Sequence, residues 1–406
     1  MSLPLSFFIF HSSGECIYRV NLGGGELDIS IFAGFSSSVS TFSSLLHRSS
    51  NTNPAATMPL LSGTPKRKTT HVINGPDAFC YRDTESFTLA IHAPTDTGKE
   101  VISDMLELIE NMFSFLMGDP STWARDTMAT GGFPDIIEKV LAGNETAPET
   151  DPQLWDVLPL PRSVRFMPGS RLLYQQLDRI LAILEEDAHT SGGMIMIGSS
   201  VLFSRLNHKN TYLVSRLVNL RPLRDATFRI VPIFSEGAWK KLVMMAAKPY
   251  LLAVMVSSRA TFASTRSICV RCGESLRASD AVHLPVEESP VPIRNFAGLA
   301  VVSFLYHHIP TGFTLSPSLR SGPPQLKQKS MSTFQWFYSR TRDAVASSEL
   351  REIQYAKDDF KFFYTLREEV HELYVLCNEA ALGRGEDIRD IGKAIIEKAA
   401  SRVPMT

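Results

Sequence analysis

The sequence predicts a mixed α/β protein of the α+β type, built as small units in tandem, each a mostly antiparallel sheet flanked by helices. Three observations carry this expectation. The chain has 406 residues, too many for one compact core, and ordinary domain sizes suggest about two to four units. Short apolar or alternating runs come in hairpin-like groups, separated by stretches with apolar residues three and four apart. Two Pro-rich breaks, at 147–161 and 285–292, then mark out units at 1–150, 151–285 and 286–406.

In the first unit, residues 6–10 and 15–20 read as strands joined by a turn at Ser13-Gly14. Gly23-Gly24-Gly25 breaks the chain, because three glycines accept any backbone geometry and pack no side chain. Beyond Gly34, the spacing of Phe35, Val39, Phe42 and Leu46 predicts one face of a helix. Residues 49–70 are rich in Ser, Thr, Asn and Pro and carry Lys66-Arg67-Lys68. They have too little apolar surface to offset their ordering entropy, so a mobile surface loop is expected. Strands follow at 78–81 and 87–92, then the clearest helix of the chain at 98–117. Its stripe of Val101, Met105, Leu108, Met112 and Phe115 points to a core, while Glu100, Asp104, Glu107 and Glu110 are assigned to the opposite side.

The second unit opens with a helix at 170–186 on the pattern Leu173, Leu177, Ile180, Leu181, Leu184. Paired strands at 194–197 and 201–206, a turn at 207–210 and a short helix at 212–220 come next. Strands at 227–234, 241–245 and 250–256 complete a sheet, with Lys248-Pro249 at the last corner. Residues 251–256 are apolar at every position, so both faces of that strand should be covered. The third unit repeats the theme: a strand at 298–306, a polar linker at 316–330, a helix at 333–346 and strands at 351–355, 360–365 and 372–377. A closing helix at 386–400 carries Ile388, Ile391, Ile395 and Ala399 on one stripe.

Composition excludes several classes of function. The net charge is −1, so there is no basic excess to neutralise a run of phosphates, and no nucleic-acid partner is expected. Five scattered cysteines do not make a secreted disulfide framework. The apolar run 3–10 lacks a basic flank and a small-residue cleavage pattern, and no run reaches the ~18 apolar residues of a membrane span. A cytoplasmic protein that meets membranes only peripherally is expected.

The motifs that could carry chemistry are incomplete. Cys269-Val-Arg-Cys272 is half a zinc knuckle with no second pair, and its bland alternative is two cysteines on one helix. Gly98-Lys99-Glu100 resembles the end of a phosphate loop, but it lacks the first glycine and has Glu where a hydroxyl would bind magnesium; it reads as a helix start. Gly23-Gly24-Gly25 lacks the strand–helix context of a dinucleotide site. His307-His308 are adjacent rather than spaced for one face, which suits structural or solvent-facing histidines. No cofactor, no metal and no buried convergence of ionisable groups are expected.

The order strand, strand, helix, then strands and helices resembles a longin domain, and three such units resemble the tri-longin group of Mon, Ccz, Fuzzy, Inturned and Hermansky–Pudlak proteins. Within that group the chain is most similar to the Ccz family. Five stretches carry the resemblance: Leu5-Ser-Phe-Phe-Ile-Phe10, Phe113-Ser-Phe-Leu-Met-Gly118, the run from Val201 to Val214, Phe304-Leu-Tyr306 and His371-Glu-Leu-Tyr-Val-Leu-Cys-Asn-Glu379. The first hairpin is shorter than the family's, and residues 257–291 have no clear counterpart. The resemblance implies three tandem longin-like domains and a guanine-nucleotide exchange subunit that pairs with a Mon-type partner. The complex would act on a late-endosomal Rab GTPase in traffic to the lysosome or vacuole. A non-enzymatic scaffold of the Fuzzy and Inturned kind is the alternative. Partner docking is expected on the first unit through Phe35, Val39, Phe42 and Leu46, unless these four fill the local core. Lys66, Arg67 and Lys68 are the candidates for contact with an anionic membrane.

Overall fold

The computed structural model describes residues 5–11, 15–22, 69–84, 87–119, 133–141, 163–167, 171–223, 228–279, 301–316, 324–347, 352–357, 361–378 and 388–401. Two compact units divide the chain, Ser2–Ala142 and Gly143–Thr406.

The first unit holds an antiparallel sheet of β1 (Ser6–His11), β2 (Cys16–Asn21), β3 (Thr69–Asn74), β4 (Asp77–Asp83) and β5 (Phe87–Pro94), in the order β2-β1-β5-β4-β3. Phe7, Phe8 and Ile9 are all fully buried, so β1 is covered on both faces. Thr69 and Thr70, expected in the loop 49–70, instead begin β3 and pair with Arg82 and Tyr81. Cross-strand hydrogen bonds hold them there, which local composition does not reveal. The rest of that loop, and the predicted helix carrying Phe35, lie outside the described residues.

Gly98, with φ 87°, turns the chain into α1 (Lys99–Met117). A second helix, α2 (Phe133–Leu141), was not predicted and packs against α1, which also covers β4 and β5. The side of α1 that carries the four acids is itself partly covered. Asp104 and Leu106 are buried, and Glu110 and Glu107 flank the buried Arg82, Glu107 at 3.9 Å.

The second unit begins, among its described residues, with the two-residue strand β6 (Val164–Arg165) and α3 (Arg171–Ala182), which tightens into a 3-10 turn at Ile183–Glu186. Next come β7 (Thr190–Ile197), β8 (Ser200–Ser204), α4 (His208–Leu220), β9 (Phe228–Ser235), β10 (Ala238–Ala247), β11 (Tyr250–Ser257) and α5 (Phe262–Ala278). Residues 207–210, expected as a turn, are the N-cap and first turn of α4: the Asn207 side chain accepts a 2.8 Å hydrogen bond from the Asn210 N–H. The sheet order is β8-β7-β11-β10-β9. α3 and α5 cover one face, where Leu177, Leu181, Cys269 and Cys272 join Val243 and Leu252 in one core.

The third sheet contains β12 (Val301–His308), β13 (Phe313–Leu315), β14 (Glu352–Lys357), β15 (Lys361–Arg367) and β16 (His371–Asn378), ordered β14-β15-β16-β12-β13 with β6 at its end. α6 (Pro324–Ser347) and α7 (Ile388–Ala400) complete it. The predicted linker 316–330 is corrected in part, since Pro324 already opens α6 in the first-turn position that tolerates a missing N–H. α7 buries Ile388, Ile391, Ile395 and Ala399 against Phe304, Leu373 and Val375, each large side chain contributing about 1.5–3 kcal/mol. α6 covers the opposite face, where the Phe337 and Phe363 rings stack at 4.3 Å.

Numbered within its own sheet, each set of five strands has the same order, 2-1-5-4-3. β6 joins the second and third sheets. It runs parallel to β13, with the Val164 N–H donating to Gly312 O at 2.8 Å, while Phe166 bridges to Val201 of β8 and the Met167 N–H donates to Val201 O at 2.8 Å.

Candidate functional site

The register of the third sheet lines up a polar row. Arg165 lies opposite Thr314, Thr314 opposite His307, His307 opposite Glu372 and Glu372 opposite Arg367, across β6, β13, β12, β16 and β15. Side chains alternate between faces along a strand, so residues directly opposite one another share a face. Here it is the face under α6, and α6 adds Arg342.

Glu372 is the centre of the row and only 2% exposed. Arg342 Nη1 donates to both of its oxygens, at 2.9 and 3.0 Å. His307 Nδ1 lies 3.3 Å from Oε2, and Arg367 Nε lies 3.4 Å from Oε1. Burial alone would raise this carboxyl; the hydrogen bond from His307 and the charges of Arg342, His307 and Arg367 outweigh it and hold it at about 2. A buried carboxylate costs several kcal/mol unless it is paired, and this one is paired at both oxygens. Ionised through the neutral range and already hydrogen-bonded, it anchors cations and is a poor proton acceptor.

The row reaches beyond its own sheet. Ser163 Oγ is 3.5 Å from His307 Nε2, and Arg165 Nη1 donates to Ser199 Oγ, at the β7–β8 turn, at 3.0 Å. On the opposite face, the Tyr306 hydroxyl is 2.9 Å from His371 Nδ1, and His308 Nδ1 is 2.7 Å from Thr311 Oγ1. Burial pushes both imidazoles down, helped at His308 by the neighbouring His371 and His307 and opposed at His371 by Glu368. These histidines therefore favour their neutral forms.

A buried convergence of ionisable groups is thus present where none was expected. Its two halves, His307 and Glu372, are 65 residues apart and meet only through strand register. The available signal was His307 after the apolar run Phe304-Leu-Tyr306 and Glu372 before the apolar run Leu373-Tyr-Val-Leu-Cys377.

The sequence-predicted site residues Phe35, Val39, Phe42, Leu46, Lys66, Arg67 and Lys68 lie outside the described residues, as does Gly23-Gly24-Gly25. Cys269 and Cys272 stand one turn apart on α5, fully buried, and burial pushes both thiols up to about 12. Cys272 Sγ donates to the Ile180 carbonyl at 3.5 Å, as a buried thiol in a core would. Among the described residues no group of three or more His, Cys, Asp or Glu side chains is placed to hold a metal ion, and no helix is long and apolar enough to cross a membrane. No protein-family model matches the chain, and no curated protein matches it.

Proposed function

We propose that this chain is a Ccz-like subunit of a guanine-nucleotide exchange complex, pairing with a Mon-type tri-longin partner and serving a late-endosomal Rab GTPase. One observation supports this reading above the others. Three sheets in one chain share the strand order 2-1-5-4-3, each completed by a helix after its last strand. In the second and third sheets the chain order is strand, strand, helix, three strands, helix, which agrees with the element order on which the longin resemblance rests. The five stretches that carry the resemblance fall in sequence on β1, the end of α1, β8 with α4, β12 and β16.

Exchange of this kind needs no general acid or base. Tighter binding to the nucleotide-free GTPase than to the loaded form shifts the equilibrium toward release, and the sheets and helices supply rigid surfaces for that grip. The chain would work at the surface of late endosomes, lysosomes or vacuoles, held there by peripheral contacts such as Lys66-Arg67-Lys68, without a cofactor of its own.

The test is release of fluorescent GDP from a late-endosomal Rab, with the full chain, a Mon-type partner, or both. Acceleration by the pair and by neither subunit alone is expected. A stable pair that accelerates no such GTPase would overturn the exchange reading in favour of a scaffold. Val39→Glu should abolish co-purification of the partner while the chain stays folded; unfolding would instead place Val39 in the core.

A further inference from the structure

The end of the third sheet carries a histidine pair that the Glu372 row does not use. His308 closes β12, His371 opens β16, and the two are direct partners in the antiparallel ladder. Opposite residues share a face, and here it is the face of Tyr306 rather than that of His307. Backbone bonds fix the position of both rings. The Ile309 N–H donates to Val370 O at 2.9 Å beyond the pair, and the Glu368 N–H donates to His371 O at 2.8 Å in the turn before β16.

The two imidazole centroids lie 5.4 Å apart, with their planes tilted by 42°. That separation suits a shared ion. With metal–nitrogen distances of about 2.0–2.1 Å and a roughly tetrahedral angle, two ligating rings place their centroids about 5 Å apart. Each ring is also held by one nitrogen. His308 Nδ1 is 2.7 Å from Thr311 Oγ1, which accepts in addition from the Phe313 N–H at 3.3 Å. His371 Nδ1 is 2.9 Å from the hydroxyl of the fully buried Tyr306. Both Nδ1 atoms are thus engaged, and neither Nε2 has a hydrogen-bond partner among the described residues. A metal-binding histidine is oriented in this way, its second nitrogen tied to a neighbouring oxygen. Both side chains are half-exposed, so an ion with its water can reach them. Burial, and at His308 the neighbouring His371 and His307, favours the neutral rings that bind metal, while Glu368 opposes this at His371.

We infer that His308 and His371 form a cross-strand site for a divalent transition-metal ion that prefers imidazole nitrogen, with water filling its remaining positions. Two protein ligands are fewer than a structural zinc site uses, so the ion exchanges with solvent. The pair also falls below the three ligands of a group that no described residues assemble. An ion on both rings clamps β12 to β16 and stabilises the folded pairing, since the unfolded chain does not hold the two histidines together. The site stands apart from the exchange reading, because its test contains neither a Mon-type partner nor a GTPase.

The probe is the zinc ion alone, titrated into the untagged full chain in competition with a chromophoric chelator, with thermal unfolding followed in parallel. Saturable binding and a raised Tm that a chelator reverses are expected, and excess magnesium, which prefers oxygen ligands, should produce neither. His308→Ala and His371→Ala should each weaken zinc binding roughly tenfold or more and remove the rise in Tm. His189→Ala, at an exposed histidine before β7, should change neither readout. Tyr306→Phe keeps the ring and removes the oxygen that orients His371, so zinc should bind roughly tenfold more weakly although both ligands remain. Thr311→Val makes the same test from the side of His308 if an alanine variant fails to fold. No competition for zinc, or zinc binding and a rise in Tm that survive these substitutions, overturns the inference.

Discussion

Glu372 shows how a few ångströms convert a destabilising group into a stabilising one. Its carboxyl falls from 4.5 to about 2 in the folded protein, equivalent to about 3 kcal/mol in favour of the ionised native state. A depressed folded value means that this stabilisation is complete above 4.5 and is lost as pH falls from there toward 2. Glu372→Gln keeps the shape and removes the charge, leaving the partly buried Arg342 beside a neutral amide, at a cost of roughly 3 kcal/mol. Urea unfolding of both proteins should give a gap that is constant from neutral pH down to about 5 and narrows below 4.5. His308 and His371 act in the same direction at higher pH. Their folded values lie below 6.5, so the unfolded chain binds protons first and stability drops as pH falls below 6.5. That loss is common to the two proteins and cancels in their difference. A gap that stays constant to pH 3 would mean that the arginines do not hold Glu372 ionised.

At the scale of elements, α7 depends on a residue with no side chain. Gly392 faces the ring of Tyr364, and a Cβ there would lie 2.6 Å from Cε1. Alanine gains about 1 kcal/mol over glycine in a helix interior, but overpacking a core costs about 1–3 kcal/mol. Tyr364 is fully buried and cannot swing aside as a methionine can, so the clash should win. Gly392→Ala is expected to lower the urea midpoint, and a raised midpoint would show that α7 does not seat on β15. Elements with strong periodicity were legible without coordinates: the stripes of α1, α3 and α7 and the all-apolar β11 are where the pattern puts them. Elements held by distant partners were not. β3 is a polar run made a strand by β4, β6 is two residues long, α2 stands isolated in the sequence, and the first turn of α6 sits in a stretch that reads as linker. The Glu372 row was hidden for the same reason, because register across five strands is a tertiary property.

The connection between the second and third sheets governs the behaviour of the larger unit. Residues 163–167 pair with β13 at one end and reach the edge of β8 at the other, through two 2.8 Å backbone hydrogen bonds. Arg165 and Ser163 add side-chain ties to Ser199 and His307, so both sheets lose partners if the segment is displaced. An edge strand left bare exposes a row of unpaired backbone groups, and a buried carbonyl without its donor costs about 1–3 kcal/mol. The two sheets should therefore unfold together. Hydrogen exchange of the full chain across a urea series should give β7 and β16 amides the same opening free energy at the point of global unfolding. Met167→Pro removes the N–H that donates to Val201 O and leaves the β6–β13 pairing intact. It should lower the second sheet's opening free energy by about 1–3 kcal/mol and separate the two transitions. If β7 and β16 already open independently in the unaltered protein, the segment is a passive linker, and each sheet's own core alone sets its stability.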